Sequence, residues 1–372
     1  MKMKTVKGVE IPAILKAAIA VLLLPVFLKA EIQYNVITLE TLTNDDTFYA
    51  YSVNNDGEVV GYALSSRGES EAIRFDPTGS QRSIVLGALP NFPYSRAYSV
   101  NHYGQVAGSS FNGARQSVAT LFDITGRGNN IDLGTLGGET GTAYSVNDYG
   151  QIVGYAADSS GAEHAALFDV TGRGYNIDLG TLPGCTNSYA TSINNNGQVI
   201  GYCVNDEGQF YAALFDLSGS GRNINLGTLG GLLNVPNKIN NYGQIAGVSG
   251  VAPNTQHAAL FKLPGGTERN FDLGALPLKY GNSEALGINN NGQIVGYCTN
   301  DDGDVRATLF DISGNGSNID LNTLIDPASG WTLNYAYSIN DNGIIVGNGS
   351  KGAFLLQPIS VYTDSSLPPD KY

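Results

Sequence analysis

The sequence predicts an all-β protein, a seven-bladed β-propeller of four-stranded antiparallel blades, and three observations carry that prediction. One short segment returns seven times at near-constant spacing. Each copy holds the residues of a tight hairpin turn. Glycine is abundant and charge is scarce: 48 glycines among 372 residues is roughly twice the usual share of about 7%, and 14% charged residues compares with about 25% in an average globular chain. The repeated segment is Ala50-Tyr51-Ser52-Val53-Asn54-Asn55-Asp56-Gly57-Glu58-Val59-Val60-Gly61, and its asparagine recurs as Asn54, Asn101, Asn147, Asn194, Asn240, Asn289 and Asn340, 46 to 51 residues apart. Repeats of this length built from four short strands are propeller blades.

Within a copy, Asn-x-x-Gly places Asn at the first and Gly at the fourth position of a type I turn. The flanking Ala-Tyr-Ser-Val and Gln-Ile-Val-Gly-Tyr segments then become antiparallel neighbours. A third strand follows as Ala-Ala-Leu-Phe-Asp, at Ala165–Asp169 and Ala212–Asp216. The fourth comes after a glycine-rich turn and starts at Ser83, Asn130, Asn176, Asn223, Asn270 and Asn318. Apolar residues stand side by side, as in Ile152-Val153 and Leu167-Phe168, so both faces of each sheet need covering, and blade stacks on blade. An open β-solenoid of the same repeats is the alternative, and it leaves apolar faces bare at both ends unless capped.

Six copies of the fourth strand lie between repeats; the seventh candidate is Tyr34–Leu42, ahead of the first hairpin, with Ile359–Thr363 competing for the slot. The N-terminus reads as a signal peptide over residues 1–30: Lys2, Lys4, Lys7 and Lys16 precede an apolar run from Ala17 to Leu28, too short for the roughly 20 residues that span a bilayer. An uncleaved anchor or a buried first helix is the competing reading. The propeller then covers 31–363, with a flexible tail at 364–372. Removing residues 1–30 leaves 15 basic against 32 acidic side chains, a net charge of −17. Such a surface repels nucleic acid and anionic lipid. The expected mature chain is a secreted, periplasmic or cell-surface monomer with no stable membrane anchor.

Leu133-Gly134-Thr135-Leu136-Gly137-Gly138, Leu226-Gly227-Thr228-Leu229-Gly230-Gly231, Ile193-Asn194-Asn195-Asn196-Gly197-Gln198-Val199-Ile200-Gly201 and Ala353-Phe354-Leu355-Leu356 resemble the bacterial extracellular HAF repeats. The resemblance runs from Tyr34 to Pro358. The His-Ala-Phe triplet itself departs, since His164 and His257 are followed by Ala165-Ala166 and Ala258-Ala259. The resemblance implies secretion by a bacterium and brings no activity or site residues with it.

Few residues point to chemistry. The Asn-x-x-Gly loops have a calcium-loop rhythm but lack its ligands, so no cofactor is expected; the weak candidates for a calcium site are Asp301, Asp302 and Asp304, which solvated turns also explain. The three histidines recur with no Ser or Cys partner, which leaves no catalytic residues to name. Cys185 and Cys203 flank neighbouring strands and form a candidate disulfide, with free thiols as the alternative. Tyrosine is the least ordinary feature. Tyr51, Tyr98, Tyr144 and Tyr337 share one repeat position, Tyr62, Tyr155, Tyr202 and Tyr297 another. A ring of such side chains stacks on an extracellular glycan or protein, or packs blade to blade. Asn237 and Lys238 break the first ring in blade five and mark a candidate ligand edge. Repetition without singular acid, base or nucleophile favours a noncatalytic binding or scaffold module; a propeller-type hydrolase or lyase is the alternative.

Overall fold

The computed structural model describes residues 33–39, 47–80, 82–113, 116–263, 269–277 and 280–359. The expected signal peptide, the C-terminal tail and residues 360–363 lie outside the described residues. Seven four-stranded antiparallel sheets make seven blades. Blade one runs outward through Thr47–Val53, Val59–Leu64, Ser70–Phe75 and Ile84–Val85. The inner strands of the next six are Tyr94–Val100, Gly137–Val146, Asn187–Ile193, Asn234–Ile239, Tyr280–Ile288 and Leu333–Ile339. Fourth strands are short, two to four residues in blades one to six. Besides strands there are two 3₁₀ turns, Leu321–Leu324 and Pro327–Ser329.

Blade seven closes the ring. Its outer strand is Gln33–Leu39, which pairs antiparallel with Gly352–Ile359, Leu39 opposite Ala353 and Tyr34 opposite Pro358. Ile359 belongs to the third strand, so the N-terminal segment holds the outer slot. The repeats form a closed propeller, and the open solenoid is excluded.

The core lies between blades. Val60, Ala72 and Leu86 of blade one pack with Ala97, Val100, Val106 and Phe122 of blade two, and the same arrangement recurs around the ring. Each Leu, Ile or Phe fully buried there contributes about 1.5–3 kcal/mol.

The turn asparagine does more than shape a hairpin. The Gly57 N–H donates to the Asn54 carbonyl at 3.1 Å and Gly57 takes φ +83°, as a type I turn followed by left-handed glycine requires. The Asn54 side-chain oxygen accepts from the Asp56 and Glu58 N–H groups. Its amide donates outward to the carbonyl of Asn101 in the next blade, at 2.9 Å. That interblade bond repeats from Asn101 to Asn147, Asn194, Asn240, Asn289 and Asn340, and Asn340 returns it to Asn54 at 2.9 Å. All seven asparagines are buried. A second clamp sits outside: the Asn130, Asn176, Asn223, Asn270 and Asn318 amides donate to carbonyls of the preceding blade.

Candidate ligand site in the central channel

Every inner strand carries a bulge at one position, between Ala50 and Ser52 in blade one, Ala97 and Ser99 in blade two, Ala143 and Ser145 in blade three, and so on round the ring. The extra residue is Tyr51, Tyr98, Tyr144, Thr191, Asn237, Leu286 or Tyr337. A bulge leaves one residue unpaired and re-aims its side chain; here all seven line one cavity of about 430 Å³.

The glycine seven places after each turn asparagine makes the bulge possible. Gly61 lies opposite Ala50, and a Cβ on it would stand 1.8 Å from the Tyr49 carbonyl oxygen. Gly108, Gly154, Gly201, Gly247, Gly296 and Gly347 meet the equivalent carbonyl at 1.9 to 2.2 Å. Only a residue without a side chain lets the two strands approach at that point.

Tyr337, Tyr51, Tyr98 and Tyr144 form a continuous arc over blades seven, one, two and three. Ring centroids are 4.7 Å apart for Tyr337–Tyr51, 5.9 Å for Tyr51–Tyr98 and 5.4 Å for Tyr98–Tyr144. The second tyrosine set lies behind them: Tyr62 stacks on Tyr51 at 5.6 Å and Tyr155 lies 5.8 Å from Tyr144. The rings thus pack against one another and line a cavity at once. Burial pushes the phenol groups of Tyr51, Tyr98, Tyr144 and Tyr337 well above their ordinary pKa. They are neutral near pH 7, able to offer ring faces and O–H donors but no base.

The opposite wall, from blades four to six, is not aromatic at the bulge position: Thr191, Asn237 and Leu286 face the arc, with Lys238, Val235 and Gly287. Asn237 donates to the Glu284 carboxylate and the Ala285 carbonyl, both at 2.9 Å. The other Glu284 oxygen accepts from the Tyr297 hydroxyl at 2.8 Å. Lys238 has no hydrogen-bond or ion-pair partner among the described residues. It is only partly covered because it borders the cavity, yet it lies deep in the ring, and this burial pushes its pKa down. Tyr51, Tyr98, Tyr144, Tyr337, Asn237 and Lys238 therefore surround a single space. The sequence reading missed Thr191, Leu286 and Gly287; aligning the seven copies at the bulge column and the position after it would have found them.

Two other concavities are less equipped. At the turn end of the channel Asn55, His102, Asp148, Asn195, Asn241, Asn290 and Asp341 ring a space of about 160 Å³, and their polar groups largely bond one another: the Asp148 N–H donates to Asn195, Asn195 to Asn241, Asn241 to Asn290 and Asn290 to Asp341. A larger groove of about 570 Å³ at the rim of blade five is walled by Gly230–Leu233 and Gly250–Gln256, with no charged or aromatic side chain.

The remaining sequence candidates resolve as follows. Asp301, Asp302 and Asp304 form the tip of a turn in which the Asn300 side chain accepts from the Asp304 N–H at 2.8 Å and donates to its carboxylate at 3.1 Å. Among the described residues no three His, Cys, Asp or Glu side chains stand close enough to share a metal ion. Cys185 and Cys203 lie side by side as free thiols. The Cys203 sulfur, buried, accepts from the Leu182 N–H at 3.4 Å, and burial pushes its pKa up to about 12.

His164 and His257 occupy equivalent third-strand positions, each 2.9 Å from a fourth-strand carboxylate, Asp178 and Asp272. The hydrogen bond to Asp272 raises the His257 pKa against the effect of burial. Burial works against charge on Asp272, yet hydrogen bonds from His257 and the Gly274 N–H hold its pKa low. The pair's contribution to stability is therefore complete between the ordinary carboxylate and imidazole ranges. It fades above pH ~6.5 as His257 deprotonates through its raised pKa, and on the acid side as Asp272 protonates. In Asp272→Asn the His257 pKa, read by NMR titration, is expected to fall toward the ordinary value; an unchanged value contradicts this pairing.

No protein-family model and no curated protein matches the chain. Among solved structures, a puromycin-hydrolyzing peptidase of Mycobacterium tuberculosis is 13% identical with a TM-score of 0.52; the match covers 85% of this chain and 49% of that one, so the chain spans about half its length. A streptogramin B lyase is 13% identical with a TM-score of 0.46, covering 88% of this chain and 98% of the lyase. A gluconolactonase from Xanthomonas campestris is 10% identical with a TM-score of 0.41, covering 88% and 90%. At these identities the likeness is one of fold, and the first of them agrees with what the blades display: the chain is a seven-bladed β-propeller.

Proposed function

We propose that this chain is a noncatalytic recognition module of the bacterial cell exterior that seats a small extracellular glycan in the tyrosine-lined channel. One observation carries the reading: four consecutive bulge tyrosines, neutral and in ring-to-ring contact, form one wall of a cavity whose other wall mixes Thr191, Asn237 and Lys238 with Leu286 and Val235. A volume of about 430 Å³ falls in the range of small-molecule pockets. An aromatic face opposed by Asn237, Thr191 and Lys238 suits a sugar, which has apolar ring faces and polar edges. Export is proposed from the basic-then-apolar N-terminal pattern and the resemblance to extracellular repeats.

The test is a glycan array on the mature chain, with and without EDTA, followed by calorimetry of each hit against Tyr98→Ala and Tyr144→Ala. Each truncation is expected to weaken binding about tenfold, the equivalent of about 1.4 kcal/mol for one lost stacking face. A chain that binds no glycan, or binds one equally well after both truncations, overturns the reading. Turnover of a bound sugar or lactone abolished by EDTA turns it into a hydrolase or lyase.

A further inference from the structure

The residue after each bulge is Ser52, Ser99, Ser145, Ser192 and Ser338 in five blades, but Lys238 in blade five and Gly287 in blade six. The serine has a visible task. In four of these five its hydroxyl accepts the inward N–H of the following blade, from Ser52 to Val100, Ser99 to Val146, Ser145 to Ile193 and Ser192 to Ile239, at 3.3 to 3.4 Å. The two blades that follow the exceptions therefore present the Ile288 and Ile339 N–H groups without that acceptor. An ammonium group cannot accept a hydrogen bond, and glycine has no side chain. Lys238, Gly287, Ile288 and Ile339 all border the tyrosine cavity, and a Cβ on Gly287 would stand 3.1 Å from the Ser338 Cα and 3.2 Å from the Tyr337 carbonyl oxygen, so blade six has no room for the serine.

Three donors, Lys238 and the Ile288 and Ile339 N–H groups, thus border one cavity, with no anion supplied to Lys238 by the described residues. The carboxylate within reach of this wall, Glu284, already accepts from Asn237 and Tyr297. Two main-chain N–H groups beside a lysine form the kind of concavity that binds oxyanions. We propose that the occupant of the channel is an acidic sugar, and that its carboxylate or sulfate is held by Lys238 together with the Ile288 and Ile339 N–H groups while its ring lies on the tyrosine arc. The inference rests on the channel being a glycan site, and it adds the charge of the ligand. It also gives the Ser-to-Lys and Ser-to-Gly exchanges a common purpose, since each removes an acceptor from the same patch.

The probes are glucuronate, glucose and inorganic sulfate at constant ionic strength, read by calorimetry and by the amide NMR signals of Ile288 and Ile339. The variants are Lys238→Met, which keeps the stem, and Lys238→Ser, which restores the hydroxyl of the other blades; circular dichroism checks that both melt as the parent does. Glucuronate is expected to bind at least tenfold tighter than glucose, to shift both amides as sulfate does, and to lose this advantage over glucose in both variants. An acid preference that survives in both variants, or sulfate and glucuronate leaving the two amides unmoved, overturns the anion seat. If glucose then still binds on the tyrosines, the glycan reading stands without it; if sulfate shifts the amides but no sugar binds, the seat stands and the glycan reading falls.

Discussion

Gly154→Ala is expected to unfold blade three or to lower its stability by at least about 3 kcal/mol, although it adds a single methyl group to a buried strand. The added Cβ would stand 1.9 Å from the Thr142 carbonyl oxygen, where contact distances need about 3.4 Å. Gly154 is paired with Ala143, so the strands can relieve the clash only by separating, which breaks ladder bonds on both sides of the bulge. The bulge also aims Tyr144 into the cavity, so any variant that still folds should bind ligand more weakly. Equilibrium urea unfolding measures the first effect. A midpoint within experimental error of the parent shows that the strands adapt and that the glycine is not a spatial necessity. The same change at Gly161, where no atom lies within 4 Å of the new Cβ, isolates backbone strain from φ +89° as a smaller, separate cost of about 1 kcal/mol.

The second large effect belongs to the asparagine ring. Asn194→Ala removes acceptors for the Asn196 and Gln198 N–H groups and donors to the Gln198 side chain and the Asn240 carbonyl. Four hydrogen bonds, one buried and three partly buried, at about 1 kcal/mol each, with N–H groups left unsatisfied, predict a loss of about 2–4 kcal/mol. Asn340→Ala should cost a similar amount although its partner is Asn54, 286 residues away; a much smaller cost would mean that the ring is weakly held there. Asn194→Asp separates the two roles. It keeps the turn acceptor but sets a carboxylate against the Asn240 carbonyl and the Gln198 side-chain oxygen, which raises its pKa. A raised folded-state pKa favours the protonated form, so this variant should be least stable at neutral pH and recover as pH falls.

The hairpins were legible because their determinants are local: Asn and Gly three residues apart settle a turn wherever they occur between apolar segments. The outward half of the asparagine's work was not legible, since the Asn101 carbonyl that receives the Asn54 amide lies 47 residues on and nothing in the segment names it. The glycine at Gly61 and its equivalents was visible as a repeat and unexplained as chemistry, for its reason is a carbonyl on the paired strand. The tyrosine columns and the break at Asn237 and Lys238 were plain in the sequence. That they surround one space depends on the bulge, which shifts the facing of one residue and leaves no mark in the alternation. The serine column was equally printed, but its meaning required the N–H of the next blade. The closeness of Cys185 and Cys203 was readable from their places at neighbouring strands.

The pairing of Gln33–Leu39 with Gly352–Ile359 also sets an order of events during synthesis. The first strand of the propeller leaves the ribosome with no partner and must wait for more than three hundred residues before its neighbour arrives. Bringing such distant segments together costs about 5 kcal/mol of chain entropy, recovered only when all seven asparagines can join hands. Until then the half-made chain carries a bare sheet edge and uncovered apolar faces, the features that invite association with other chains. Its formal net charge of −13 then has a use before folding as well as after it, since unfinished chains of like charge keep one another at a distance.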